Sequence, residues 1–205
     1  MRKGLVIVVS LSAIAVGWWV MQQGRSITNG MRGQMGKAHY VAYVGNDPAL
    51  QVTFEYPQGR SVQEETGQVE RFRQVRLMGP RNRDDSYTAY LSVLGTPLKA
   101  YGGKYPNKEE FLRNYTSHLQ QGAQIVSTTS TKISGAAAID ITVSYTMPPW
   151  HHQDLKAVEV PVKARTIVVE KPPYLYQLTY SADAREYDAH APAFEHLRKT
   201  FRFLQ

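Results

Sequence analysis

Two imidazoles and a carboxylate fall within five residues at Trp150-His151-His152-Gln153-Asp154. His151, His152 and Asp154 are donor types that hold zinc, copper or manganese. Their spacing weakens a metal reading, because neighbouring side chains of an extended segment point to opposite sides. One short stretch then supplies only part of a coordination sphere. Pro149, Trp150, His151 and His152 read better as an exposed loop that offers a tryptophan anchor to a partner protein. An unordered loop is the baseline against which both readings stand.

A second chemical signal is cationic. Arg71, Arg73, Arg76, Arg81 and Arg83 form a basic, acid-poor stretch that can dock an acidic face. The bland alternative is a solvated sheet edge. Glu186 and His190 have the spacing of a helical pair, but Pro192 follows closely, so a surface contact is the better reading. His118 sits near an apolar stripe and reads as a core or boundary histidine. No nucleophile elbow, phosphate-binding loop, zinc-protease motif or dinucleotide fingerprint is present. The chain contains no cysteine, which excludes disulfides, thiolate metal sites, iron–sulfur clusters and c-type haem attachment. No catalytic residue, no cofactor and no dedicated metal site is expected.

The segment that positions everything else is Gly4 to Met21. It carries no charge, and its only hydroxyls are Ser10 and Ser12. Roughly 18 residues of helix span about 27 Å, close to the hydrocarbon thickness of a bilayer. Leu5, Val6, Ile7, Val8, Val9, Leu11, Ile14 and Val16 supply the apolar surface. Trp18 and Trp19 stand at its far end, where an aromatic belt lies. No small-x-small cleavage site follows the run, so a retained anchor is favoured over a cleaved signal. Arg2 and Lys3 precede the run, while Arg25, Arg32 and Lys37 follow it. The short basic start favours an inside N-terminus and an extracytoplasmic domain; the inverted arrangement is the alternative.

The organisation expected is a membrane signal-anchor over residues 1–22, a Gly-rich basic tether over 23–37 and one domain over 38–205. The formal net charge of +7 favours acidic partners such as anionic lipid headgroups or an acidic protein face, and a merely solubilising basic surface is an equal reading. Nucleic acid is not expected among them.

Within the domain, period-two alternation predicts strands at His39–Val44, Gln51–Tyr56, about Glu70–Met78 and Tyr87–Leu94. Tyr87, Ala89, Leu91 and Val93 share one face of the last of these. Asn107 with Glu110 forms a capping box for a helix that Gly122 stops. Strands return at Gln124–Ile133, Ala138–Tyr145, Val158–Lys171 and Tyr174–Ser181. The last two form an antiparallel pair across Pro172-Pro173. A closing helix starts near Pro192, buries Phe194, Leu197 and Phe201, and carries Glu195 and Lys199 as an outward pair. Strands, helix, strands, helix without βαβ alternation define an α+β fold: a central, mainly antiparallel sheet covered by helices.

In this order the chain resembles the PsbP-like family of extrinsic photosystem proteins and their bacterial relatives. Val52-Thr53-Phe54-Glu55-Tyr56-Pro57 is similar to the family's opening strand, although Arg60 stands in the region where a tryptophan is expected. Lys171-Pro-Pro-Tyr-Leu-Tyr-Gln-Leu-Thr-Tyr180 resembles its late strand. Tyr187, Phe194 and Thr200-Phe201-Arg202-Phe203 resemble its closing helix and terminal aromatic pair. The resemblance covers about Leu50 to Gln205 and implies an α/β/α sandwich. It transfers no catalytic residues, and the family's metal ligands find no matching positions.

Together these readings point to a non-catalytic accessory subunit. It would be anchored in the membrane by a single helix, with its domain on the extracytoplasmic, periplasmic side. The expected partner is an integral, energy-transducing membrane protein complex, with a photosynthetic reaction-centre complex as one such host, which it stabilises or helps assemble. The alternative is a tethered module of the cell envelope that binds a small ligand or lipid; a small ligand is the lesser expectation.

Overall fold

A computed structural model describes residues 39–67, 71–119, 122–147 and 159–204. Two antiparallel sheets carry the chain. The smaller is ordered β1-β2-β10, from β1 (Tyr40–Val44), β2 (Val52–Pro57) and β10 (Arg202–Phe203). The larger is ordered β3-β4-β5-β9-β8-β7-β6. Its members are β3 (Ser61–Gly67), β4 (Phe72–Arg81), β5 (Thr88–Pro97), β6 (Gln124–Ile133), β7 (Ala136–Met147), β8 (Val160–Lys171) and β9 (Tyr174–Asp183). Helix α1 (Lys108–Ser117) lies between β5 and β6, and α2 (Tyr187–Thr200) between β9 and β10. The fold is α+β, with antiparallel pairing throughout both sheets.

Alternation in the central strands sends successive side chains to opposite faces, and each face is covered. Ile167, Val169, Tyr176, Leu178 and Tyr180 join Phe194 and Leu197 from α2, Phe201 just after it, and Val52 and Phe54 from the small sheet in one core. Ala164, Val168, Leu175, Ile141 and Val143 face the other way, against Phe111 and Leu112 of α1. The two helices therefore sit on opposite faces of the seven-stranded sheet. Burying each of Phe194, Leu197 and Phe201 contributes about 1.5–3 kcal/mol, and all three are at most 1% exposed. Gly95 is required where a helical turn (Pro48–Leu50) crosses the sheet. A Cβ there would lie 1.8 Å from the Ala49 carbonyl oxygen.

Several local expectations need correction. Strand β3 was not legible, because Ser61–Thr66 is exposed along almost its whole length and shows no apolar alternation. Tyr87 precedes β5 and does not share the face of Leu91 and Val93. It packs instead with Val160 and Val162, and its hydroxyl lies 2.6 Å from Ser181 Oγ. Helix α1 starts as expected, with Asn107 Oδ1 accepting from the Glu110 amide at 2.9 Å. The Glu110 carboxylate turns to Arg113 rather than back to Asn107, and the helix stops at Ser117, not at Gly122. His118 is exposed, its Nδ1 lying 2.7 Å from the Asn114 carbonyl at that end. Helix α2 begins at Tyr187 and holds Pro192 inside it. Proline removes one helical hydrogen bond there. Tyr180 Oη donates to the Tyr187 carbonyl at 2.5 Å, which anchors the first turn to β9.

Candidate functional site

Strand β6 ends the large sheet, so one side of its backbone has no strand partner among the described residues. Gln124 to Ser130 are all exposed, and Ile125 and Val126 are 49% and 56% exposed. Ser and Thr suit a strand but hide nothing from water. No charge appears before Lys132. The opposite edge, β3, is guarded by Glu64 and Glu65, the usual protection of an edge against stray pairing. On β6 the register shifts between Ile125 and Ser127, which twists the first residues and leaves Ser127–Thr131 as a regular run.

The β6–β7 turn consists of Ser134 and Gly135, with φ of 49° and 83°. Both angles are positive, the requirement of a two-residue turn that matches strand twist, and Gly135 meets it without a Cβ penalty. The turn approaches the C-terminal end of α2. Between them lies a cleft of about 520 Å³, open to solvent, lined by Lys132, Ser134, Gly135, Arg198, Lys199 and Arg202. Of the charged side chains there, Lys132, Lys199 and Arg202 are exposed.

A neighbouring ionic network determines which of those cations are neutralised. Arg165 on β8 donates Nε to Asp140 Oδ1 at 2.9 Å and Nη2 to Asp140 Oδ2 at 2.6 Å. Its Nη1 reaches Glu195 Oε1 on α2 at 2.5 Å. Arg198 Nη2 lies 2.9 Å from the other Glu195 oxygen. Burial alone would raise the Glu195 carboxyl, but Arg165 and Arg198 outweigh it and hold its pKa below the ordinary range. Two arginines thus meet two carboxylates. Lys132, Lys199 and Arg202 form no ion pair among the described residues. Arg202 donates through Nη1 to the carbonyls of Lys199 and Phe201 at 2.8 and 2.7 Å, satisfying the helix end.

The five arginines of the expected basic stretch do not converge. Arg73 sits 2.7 Å from Asp47, Arg76 3.7 Å from Glu65, Arg81 2.6 Å from Asp85 and Arg83 3.6 Å from Glu186. Arg73 and Arg76 lie on opposite faces of β4, because an odd spacing reverses the side. Arg71 and Arg73 line a second open cleft, also about 520 Å³, with Phe72, Tyr101 and Tyr174. Glu195 pairs with arginines rather than with Lys199. His190 stands 3.9 Å from Glu186, and burial lowers its pKa. The membrane run Gly4–Met21 and the loop with Pro149, Trp150, His151, His152 and Asp154 lie outside the described residues. Among the described residues no helix is long and apolar enough to cross a membrane, and no group of three or more His, Asp or Glu is placed to hold a metal.

Sequence reasoning missed the hairpin cleft. Its cations come from three separate places, and only the α2 register and the Ser134-Gly135 turn bring them together. Lys199 and Arg202 near a helix end were the available signal.

These features define an antiparallel α+β domain with an open edge and a cationic cleft. No family model and no curated protein matches the chain. Among solved structures, cyanobacterial PsbP (CyanoP) from Synechocystis is similar, with a TM-score of 0.50 at 16% identity, covering 85% of this chain and 98% of that one. LpqN of Mycobacterium tuberculosis, involved in cell envelope biogenesis, gives 0.47 at 15% identity over 81% of this chain and 91% of that one. The Ran-binding protein Mog1p of Saccharomyces cerevisiae gives 0.46 at 11% identity over 82% and 97%. The similarity to CyanoP makes the fold PsbP-like, and at that identity it is a likeness of fold.

Proposed function

We propose that this protein is a non-catalytic accessory subunit, held in the membrane by Gly4–Met21, whose domain docks on the extracytoplasmic side of a larger membrane complex. The observation that carries the reading is β6: a ten-residue edge strand, exposed along most of its length and uncharged before Lys132. An extended segment of a host subunit can pair with such an edge through main-chain hydrogen bonds, while Ile125 and Val126 offer apolar contacts. The uncharged run of the anchor supports the membrane setting. The resemblance of the opening strand, late strand and closing helix to PsbP-like proteins favours an energy-transducing complex, photosynthetic or other, as the host, with stabilisation or assembly as the role.

Co-purification in mild detergent tests this. The native chain is expected to travel with a membrane complex. Ser127→Lys with Thr129→Lys places charges on the edge, the device that blocks strand addition. This variant is expected to lose the complex while retaining its circular dichroism spectrum. Migration of the native chain alone under all mild conditions, or full retention of the complex by the double variant, refutes the reading.

A further inference from the structure

We infer that the cleft between the β6–β7 turn and the end of α2 is a seat for the phosphate of an anionic lipid headgroup. The inference rests on the membrane-anchored reading above.

The argument begins with charge. Lys132, Lys199 and Arg202 bring three cations to one cleft and meet no carboxylate among the described residues. The carboxylate nearest in sequence, Glu195, is engaged by Arg165 and Arg198. Arg165 and Arg198 thus occupy both oxygens of that acid, and the three other cations of the cleft keep their charge among the described residues. Exposed cations crowded together repel one another, and an anion among them relieves that repulsion. Ser134 adds a hydroxyl to the same lining, carried on the two-residue turn whose φ values are both positive. The Lys132 and Lys199 ammonium groups, the Arg202 nitrogens other than Nη1 and the Ser134 hydroxyl are donor types that phosphate oxygens accept from, and their residues line one cleft.

Position selects the source of that phosphate. The described residues begin at His39, and the ring of Tyr40, the first residue of β1, stacks on His196 of α2 at 3.6 Å. Lys199 lies three residues further along the helix, roughly 4.5 Å along its axis. The apolar run and the basic Arg25, Arg32 and Lys37 all precede Tyr40 in the sequence. The last turns of α2 thus both meet the first described strand, through His196, and line the cleft, through Arg198 and Lys199. A polyanion such as nucleic acid needs a continuous cationic track. Here Arg165 and Arg198, the cations beside the cleft, both face carboxylates, so the free positive charge stays with Lys132, Lys199 and Arg202.

The test uses the full chain in lipid nanodiscs, read by hydrogen–deuterium exchange. Discs of phosphatidylcholine alone are compared with discs containing phosphatidylglycerol. A basic residue near an anionic surface contributes roughly a fivefold change in occupancy, and three contribute about a hundredfold. Exchange in segments 132–136 and 198–203 is expected to slow at least tenfold in the anionic discs. Lys132→Gln with Lys199→Gln, both at exposed positions, is expected to abolish most of that slowing. Equal exchange in the two disc types, with the chain co-eluting with both, overturns the cleft assignment and leaves the anchor reading intact. Failure to co-elute with either disc overturns the anchor reading and this inference with it. Slowing in neutral discs by millimolar inorganic phosphate, without an effect of phosphatidylglycerol, assigns the site to free phosphate and overturns the lipid. Slowing only in discs that carry a native host complex assigns it to an acidic protein face, with the same consequence.

Discussion

Replacing Arg165 by methionine tests how the sheet and α2 are held together. Met retains much of the aliphatic stem but removes every donor. Asp140, 7% exposed, would keep its charge and lose its bidentate partner. Glu195 would keep Arg198 but lose its link to the sheet. Packing over the Phe194 ring, 5.5 Å from the guanidinium carbon, would also weaken. Removing one partner of a buried ion pair costs about 3–5 kcal/mol. The Arg165 side chain is 24% exposed and that of Glu195 33%, so water screens part of the loss and the lower end, about 3 kcal/mol, applies. That is more than a hundredfold in the folding equilibrium, and about 6–12 °C in Tm for a domain of this size.

The decisive comparison is the double variant Arg165→Met with Asp140→Leu. Most of the cost of the single change is the stranded carboxylate, not the lost attraction, and apolar replacement of both partners is often neutral. Urea unfolding in mild detergent, followed by far-ultraviolet circular dichroism, should show the double variant regaining most of the stability. A single variant within about 1 kcal/mol of wild type, or a double variant no better than the single, refutes the reasoning.

Two other changes are expected to act locally. Asp183 is 2% exposed and accepts from Asn82 Nδ2 at 2.6 Å and from the Arg185 amide and Nε, both at 2.9 Å. Burial alone would raise its carboxyl, but Arg185 and Asn82 prevail and hold it below the ordinary range, while the Ser86 hydroxyl leads in holding Asp84 at about 2. Carboxyls lowered in the folded state stabilise it above their unfolded pKa of about 3.9, and that contribution is lost as pH falls through the folded values. Wild type should therefore lose stability from about pH 4 towards 2. Asp183→Asn should cost about 2 kcal/mol at neutral pH and flatten this acid limb; an unchanged acid limb in chemical unfolding rules out the clamp. Gly135→Ala isolates backbone strain, because its Cβ would meet nothing within 4 Å. A loss of about 1–2 kcal/mol in the same unfolding assay is expected at that positive φ, and no loss refutes the turn assignment.

The strands that alternate cleanly were legible because burial and pattern agree. Ile139, Ile141 and Val143 face α1, while Asp140 turns to Arg165. Tyr174, Tyr176, Leu178 and Tyr180 share the α2 face as their spacing requires. Legibility ended where side chains are governed by long-range partners. Strand β3 is polar on both faces, so only pairing with β4 makes it a strand. Tyr87 obeys parity on paper, yet the Asn82 clamp at the end of β4 redirects it to Ser181. Pro192 resembled a helix start because the preceding turn depends on contacts from β9 that no local pattern reveals.

The same limit applies to charge. A run of arginines in sequence looked like a surface patch, but strand geometry divides it between two faces and hands four members to carboxylates. Cations far apart in sequence, Lys132 and Lys199 with Arg202, gather instead at one cleft. What makes a surface cation available is the arrangement of nearby acids, not the number of basic residues. Here Glu195 is the acid that matters, and Arg165 holds it against the sheet. A domain that commits a half-buried arginine to that task keeps the cleft beside it positive. The Arg165→Met substitution should therefore loosen Glu195 towards the cleft as well as destabilise the fold, and the lipid-dependent protection at 132–136 should weaken even where the variant remains folded.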